Sequence, residues 1–165
     1  SSEKYKDTKG QVVIGNFDFE YKAHNIVARG YVDYGYLSDA DKISTYNKNL
    51  PNQSASPRSD VASNAIATGI EAGYDIFSQL SKLKATKQKL YLFGRYELYD
   101  SMYKTPQNIL PKGWAERQMI VGGVNYFPLR DVVIKAEYSH SKMNAPFINE
   151  NSINIGVAYA GFFTK

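Results

Sequence analysis

The feature that most constrains this chain is an alternation of apolar and polar residues with a period of two. Successive side chains of a strand project to opposite faces of a sheet, so this period predicts strands with one apolar and one polar face. In the first run, Val13, Phe17 and Tyr21 alternate with Asp18 and Glu20. Seven such runs predict strands at Gln11–Lys22, Ile26–Tyr36, Val61–Phe77, Lys89–Tyr99, Arg117–Phe127, Val132–Ser141 and Ser152–Phe163.

The connections between these runs alternate in length. They are short after the first and fifth runs, intermediate after the third, and longer after the second, fourth and sixth. The longest, roughly Leu37 to Asp60, has no periodicity and is expected to be a polar loop without regular structure. Bacterial outer-membrane barrels have short periplasmic turns and longer extracellular loops. The pattern therefore predicts a single all-β domain, residues 1–165, with antiparallel up-and-down strands.

Alternation alone fits both a soluble β-sandwich and a transmembrane barrel, and three features favour the barrel. Aromatic residues stand at the ends of the apolar face, as in the aromatic girdles of membrane barrels; the chain has 14 Tyr and 8 Phe. The runs are about ten residues long, which is the length that a tilted strand needs to cross a bilayer. Glycines such as Gly15, Gly94 and Gly122 on the apolar face would fill a packed core poorly. No stretch approaches the roughly 20 apolar residues that a membrane helix needs, so helical spans are excluded. The mean hydropathy of -0.44 does not exclude strands that cross a bilayer, because their residues alternate.

Short turns placed in the periplasm make the last strand end there and the first strand begin outside. Single-chain bacterial barrels have an even number of strands, with both termini normally periplasmic. Seven strands do not close in that pattern. We therefore expect residues 1–165 to be the C-terminal part of a larger transmembrane β-barrel of about 14–18 strands.

Charged residues on the polar faces are the candidates for lining a pore. The set comprises Arg29, Asp33, Glu71, Arg95, Glu97, Arg117, Lys135 and Glu137. Rings of charged side chains set ion selectivity in channels. The alternative is that the bases pair with neighbouring acids and only stiffen the wall. The sign of any selectivity stays open, because inward acids outnumber these bases.

Other chemistry finds little support in the sequence. The chain has no Cys and two His, and neither His24 nor His140 has a carboxylate at ligand spacing, so no metal site is expected. No nucleophile elbow or phosphate loop is present, and we expect neither catalysis nor a cofactor. The net charge of +4 is dispersed, which argues against nucleic acid as a partner.

The end of the chain resembles the C-terminal signal that the barrel-assembly machinery reads in outer-membrane proteins. In "INIGVAYAGFF", apolar residues alternate up to a terminal aromatic, although Thr164 and Lys165 follow. The signal positions are Ile155, Val157, Tyr159, Gly161 and Phe163. In addition, "YLFGRYELYDS" and "ERQMIVGGVNYFPLRDVVIKAEYSH" resemble the closing strands of porins of the phosphate-selective porin O and P type.

This resemblance, over roughly Lys89 to Phe163, implies a pore for passive diffusion of ions and small solutes in the bacterial outer membrane. It does not transfer phosphate specificity, because no substrate-binding residue matches. Lipid, the solute and the assembly machinery are the implied partners, and the sequence leaves open whether the barrel is a monomer or a homotrimer. Two alternatives remain: a barrel whose rim carries adhesin or enzymatic activity, and a soluble β-sandwich that binds ligand through its loops.

Overall fold

The computed structural model describes residues 8–49 and 59–159. Seven antiparallel strands form one sheet in chain order, each pairing with its sequence neighbours. They are β1 (Val12–Ala23), β2 (Ile26–Leu37), β3 (Asn64–Asp75), β4 (Lys89–Lys104), β5 (Glu116–Leu129), β6 (Val132–Met143) and β7 (Glu150–Tyr159). The prediction of an all-β, up-and-down sheet of seven strands is confirmed. The sheet is open, with β1 and β7 as its two edges in the part of the chain that the structure describes.

One end of the sheet, here called the turn end, carries the shortest connections. His24 and Asn25 join β1 to β2 with φ values of 53° and 64°. Positive φ at both central residues is typical of a type I′ turn, whose twist matches that of a hairpin. The β5–β6 connection is equally short, because Leu129 already pairs with Val132. The first turn fixes the register of β1–β2 along its whole length, whereas the β5–β6 register shifts by one residue between Tyr126 and Leu129.

The third connection at the turn end is longer and is organised around a carboxylate. It contains a 3-10 helix (Ile76–Gln79) and a short helix, α2 (Ser81–Lys84). The buried side chain of Asp75 accepts hydrogen bonds from the backbone N–H groups of Phe77 at 3.2 Å and Leu90 at 3.1 Å. Asp75 therefore ties the end of β3 to the start of β4.

At the opposite end, here called the loop end, the expectation of an unstructured loop at roughly 37–60 is wrong in part. Residues Ala40–Lys48 form helix α1, which directly follows Asp39, a residue in the left-handed conformation. Ser44 is buried, and its hydroxyl accepts a hydrogen bond from the backbone N–H of Val61, in the segment before β3, at 2.9 Å. This tertiary contact stabilises a polar helix whose sequence has no long apolar stripe. In residues 8–49 and 59–159, no helix has the length and hydropathy needed to span a membrane.

The loops at this end pack on one another. Met102, Ile109 and Ala115 form a small buried cluster between the end of β4 and the β4–β5 loop. The Asp60 carboxylate lies 2.9 Å from the Lys48 ammonium and 3.9 Å from that of Lys112, so it links two loops. β4 consequently extends to Lys104, beyond the predicted end at Tyr99, because the loop contacts hold its last residues.

Candidate functional site: a charged concave face

The two faces of the sheet differ strongly in charge. Among the described strand residues, one face, here called the apolar face, carries charge only at the loop end. The charged residues there are Asp100, Lys104, Glu116 and Lys142. The apolar side chains of this face are nonetheless exposed: Phe17 is 66%, Ile70 55% and Val157 70% accessible. A soluble sheet normally covers its apolar face. Here, within the described residues, nothing covers it.

Tyrosines stand near the ends of the apolar face, and their hydroxyls find polar partners there. At the turn end, Tyr21 contacts His24 Nδ1 at 3.1 Å and Tyr126 donates to Gln88 at 3.1 Å. Towards the loop end, the Tyr34 hydroxyl accepts a hydrogen bond from the Asn64 amide at 2.6 Å. Each ring thus lies on the apolar face while its polar tip reaches a polar neighbour. This arrangement suits a boundary between an apolar and an aqueous medium.

The opposite face, here called the charged face, is concave. A single hollow on it touches side chains from β1 through β6, from Lys22 to Lys135, so the sheet curls around this face. Phe93 and Val121 are buried on the same face. Gly69 makes room for the Tyr31 ring, because a Cβ there would lie 2.6 Å from Tyr31 Cε1.

A ladder of ion pairs crosses the middle of the charged face. Arg29, Glu71 and Arg95 are direct cross-strand neighbours on β2, β3 and β4. The Glu71 carboxylate lies 2.9 Å from the Arg29 guanidinium and 3.5 Å from that of Arg95. Arg95 also lies 3.4 Å from the Glu97 carboxylate. The side chain of Glu71 is only 15% exposed, so this central acid is the most enclosed member of the ladder.

The other predicted pore-lining residues lie on the same face but outside this ladder. Arg117 contacts the Glu150 carboxylate at 3.3 Å and the Ser141 hydroxyl at 3.2 Å. Asp33 accepts a hydrogen bond from the amide of Asn16 on β1. Glu137 accepts one from the Asn154 amide at 3.5 Å.

All eight predicted residues therefore share one face, and the structure brings four of them into direct contact. Lys135, the eighth, is exposed, and in the described part of the chain no acid lies within ion-pair distance of its ammonium. The wall is thus partly paired, through Glu71, Glu97 and Glu150 rather than through Asp33 or Glu137.

Some charged residues of this face escaped the sequence prediction of the site. Glu150 lay in a predicted loop, because the last run was taken to begin at Ser152, whereas β7 begins at Glu150. Lys87 and Arg130 lie in connections, where a period of two gives no orientation. Asp18 and Glu20 alternate correctly, so the period could have included them in the set.

The assembly-signal positions lie partly within the described residues. Ile155, Val157 and Tyr159 project from β7 on the apolar face and are all exposed. Gly161 and Phe163 lie outside the described residues. The alternation expected for the signal is present over the part that can be seen.

Neither histidine belongs to a cluster of potential metal ligands. His24 lies in the β1–β2 turn, and the His140 ring contacts the Asn151 amide oxygen at 2.7 Å. Among residues 8–49 and 59–159, no group of three His, Asp or Glu side chains could hold a metal ion.

Four lysines at the loop end each contact an acidic or aromatic side chain. Lys42 pairs with Asp39 at 3.0 Å, and this hydrogen-bonded pair raises the pKa of Lys42 above its usual value. Lys104 lies over the Tyr103 ring at 5.9 Å. Together, Asp39, which pairs with Lys42, and Asp60, which contacts Lys48 and Lys112, offset part of the positive charge at the loop end.

Comparison with known proteins identifies no relative. No family model matches the chain, and no curated protein and no solved structure is significantly similar to it. The geometry of the two faces is therefore the basis for assigning a function.

Proposed function

We propose that this sheet is part of the wall of a bacterial outer-membrane β-barrel, of the porin kind, through which ions and small solutes diffuse passively. The supporting observation is the separation of charge between the two faces. Apart from Asp100, Lys104, Glu116 and Lys142 at the loop end, every charged strand residue of the described sheet lies on the concave face. In a membrane barrel the apolar face contacts lipid and the charged face lines a water-filled lumen.

The energetic argument rests on the cost of placing charge in lipid. An Arg or Lys on the lipid face of a membrane barrel costs about 2–4 kcal/mol near the bilayer midplane. Water imposes no such penalty, so a solvent-exposed sheet face normally carries scattered charges. Selection against the cost of placing charge in lipid would keep charged residues off most of an exposed apolar face, as is seen in this sheet. The tyrosines at both ends of the face support the same reading, because aromatic girdles mark the two bilayer interfaces.

The ion-pair ladder supports an aqueous lumen rather than a dry interior. Arg29 is 61% exposed even though it contacts Glu71. Exposed pairs of this kind contribute little to stability, about 0–1 kcal/mol, because water and salt screen them. Their groups remain available to passing ions, and charged rings of this type govern permeation.

Closure of the barrel requires more than the seven described strands. An open edge in a membrane leaves backbone N–H and C=O groups without partners, and closed barrels avoid this. Both β1 and β7 present such edges. We propose that further strands pair with them to complete a barrel with an even strand number, about 14–18 in total.

The test is reconstitution, in a planar lipid bilayer, of the complete barrel, in which the proposed further strands accompany residues 1–165. The proposal expects stepwise current increases whose conductance scales with salt concentration, and a reversal potential in a KCl gradient that reports ion selectivity. Fractionation gives an independent reading, since a barrel requires detergent for extraction. Release by high salt alone, together with an absence of current steps, would contradict the proposal and favour the soluble ligand-binding alternative.

A further inference from the structure

The hollow at the turn end of the charged face has a rim of basic side chains from several elements. Two of these residues lie in β1 and β6, namely Lys22 near the end of β1 and Lys135 within β6. Lys89 is the first residue of β4, and Lys87 lies in the connection just before it. Arg130 lies in the β5–β6 turn. Five cations that are far apart in the sequence therefore converge. This convergence needs the curvature of the sheet, because four strands lie between β1 and β6 in the sheet order.

Most of these cations have no acidic partner. Lys22 lies 2.8 Å from the Glu20 carboxylate. For Lys87, Lys89, Arg130 and Lys135, no carboxylate of the described residues lies within ion-pair distance. The other acid of the hollow, Glu71, is already engaged by Arg29 and Arg95. The rim thus carries a local excess of positive charge, in contrast to the paired ladder and the paired lysines at the loop end.

The floor of the same hollow is apolar and aromatic. The rings of Tyr91 and Phe127 pack edge to face, with centroids 5.9 Å apart and an interplanar angle of 83°. Val27, Phe93 and Val133 complete the floor. A purely inorganic anion site would not need this surface, which suits the apolar body of an organic molecule.

One polar group in the floor lacks a partner. The side-chain oxygen of Asn125 is buried and makes no hydrogen bond within the described structure, and Asn125 lines the hollow. A buried amide without a partner is costly, so such groups normally find one. This oxygen is enclosed and can only accept hydrogen bonds, so a carboxylate cannot satisfy it, and the case for an anion site rests on the cationic rim and the aromatic floor.

We propose that this basic hollow binds small organic anions with a flat apolar body, of the aromatic carboxylate class. The carboxylate contacts the cationic rim, and the ring lies on the floor between Tyr91, Phe127 and Val133. The inference rests on the proposed function, since the hollow opens onto the proposed lumen and would retain the solute on its path. Binding itself, however, does not require that current flows.

Calorimetry with benzoate as the probe tests the chemistry of the site in the purified, detergent-solubilised protein. Saturable binding of benzoate is expected, with benzyl alcohol and inorganic phosphate binding at least tenfold more weakly. Benzyl alcohol keeps the ring without the charge, and phosphate keeps the charge without the ring. Equal binding of phosphate and benzoate, or no saturable benzoate binding, would overturn the assignment.

Variants locate the binding. The double substitution K89Q/K135Q should weaken benzoate binding by about tenfold, since each charge lost near a carboxylate costs a few-fold in affinity. Lys82→Gln is the matched control, because Lys82 lies in α2 at the same end of the sheet but outside the hollow. Its affinity should equal that of the parent. An equal loss in both variants would show general attraction to a positive surface and refute a specific site.

A third variant tests the floor without disturbing the fold. Val133→Thr keeps the volume and the β-branched shape of the side chain while it adds a hydroxyl, and it should weaken benzoate binding several-fold. Unchanged binding would contradict the role of the floor. Bilayer recordings on the same preparations separate the two proposals: binding without conductance would refute the pore but keep the site, and conductance without binding would do the reverse.

Discussion

An arginine placed on the apolar face should damage the protein, whereas one on the charged face should not. Ile70 lies near the middle of β3, projects from the apolar face and is 55% exposed. Ala67, on the same strand, projects from the charged face and has Asp33 as its cross-strand neighbour. Ile70→Arg and Ala67→Arg therefore introduce the same group on opposite faces of one strand, and each serves as the control for the other.

The expected magnitude follows from the medium that each face meets. If Ile70 contacts lipid near the bilayer midplane, the substitution costs about 2–4 kcal/mol of the free energy of folding into the membrane. That cost lowers the folding equilibrium constant by about 30-fold or more. If Ile70 faces water, a surface substitution changes stability by no more than about 0.5 kcal/mol. If the charged face meets water, Ala67→Arg should stay within about 1 kcal/mol, because Asp33 also offers an acid opposite.

Urea titration of folding into lipid vesicles measures the difference. The folded fraction can be read from the heat-dependent shift in electrophoretic mobility that membrane barrels typically show. We expect the unfolding midpoint of Ile70→Arg to fall well below those of the parent and of Ala67→Arg. Should Ile70→Arg fold as well as the parent while Ala67→Arg fails, the assignment of lipid and water to the two faces would be reversed.

Three further predictions follow from single contacts. Gly30→Ala should destabilise the protein by about 1–3 kcal/mol, because its Cβ would lie 2.6 Å from the Phe19 ring and 2.9 Å from a backbone oxygen. Gly122→Ala is the control, because a Cβ there would have nothing within 4 Å. In the same urea titration it should be neutral or stabilising by up to about 1 kcal/mol. Glu71→Gln removes the acid between two guanidinium groups, so the charged face becomes more positive. The reversal potential in a salt gradient should then report an anion-to-cation permeability ratio that is about two- to fivefold higher. No change in this ratio would mean that the ion-pair ladder lies off the ion path. Asp75→Ala leaves two backbone N–H groups without an acceptor and should cost about 1–3 kcal/mol of stability. Asp75→Asn retains an acceptor and should cost less. Equal costs in a denaturant titration would argue that these two hydrogen bonds do not stabilise the fold.

The location of the candidate wall was predictable because it depends on a local rule. Arg29, Glu71 and Arg95 share a face since each occupies the polar phase of its own strand, and the period of two fixes that phase without knowledge of the neighbours. Which acid each arginine meets was not predictable. Pairing depends on the register between strands. Two features help to fix that register: the type I′ turn at His24-Asn25, and the hydrogen bonds that the Asp75 side chain accepts at the end of β3.

Helix α1 and the basic hollow escaped prediction for a related reason. The polar segment Ala40–Lys48 forms a helix because Ser44 and Asn47 bond to residues of the following segment, and no periodicity within the helix signals those contacts. Lys87 and Arg130 lie in connections, so their direction is set by the packing of the turn end and not by a strand period. Long-range contacts decided both features.

The sequence by itself determined that the chain forms seven antiparallel strands and which residues share a face, because alternation is a property of each strand alone. Only the tertiary structure decided that the charged face is the concave one, that Glu71 lies between two arginines, and that four cations without acidic partners meet above an aromatic floor. These features depend on strand register and sheet curvature. Both are set by contacts between residues that are distant in the chain, and a local pattern carries no information about such contacts.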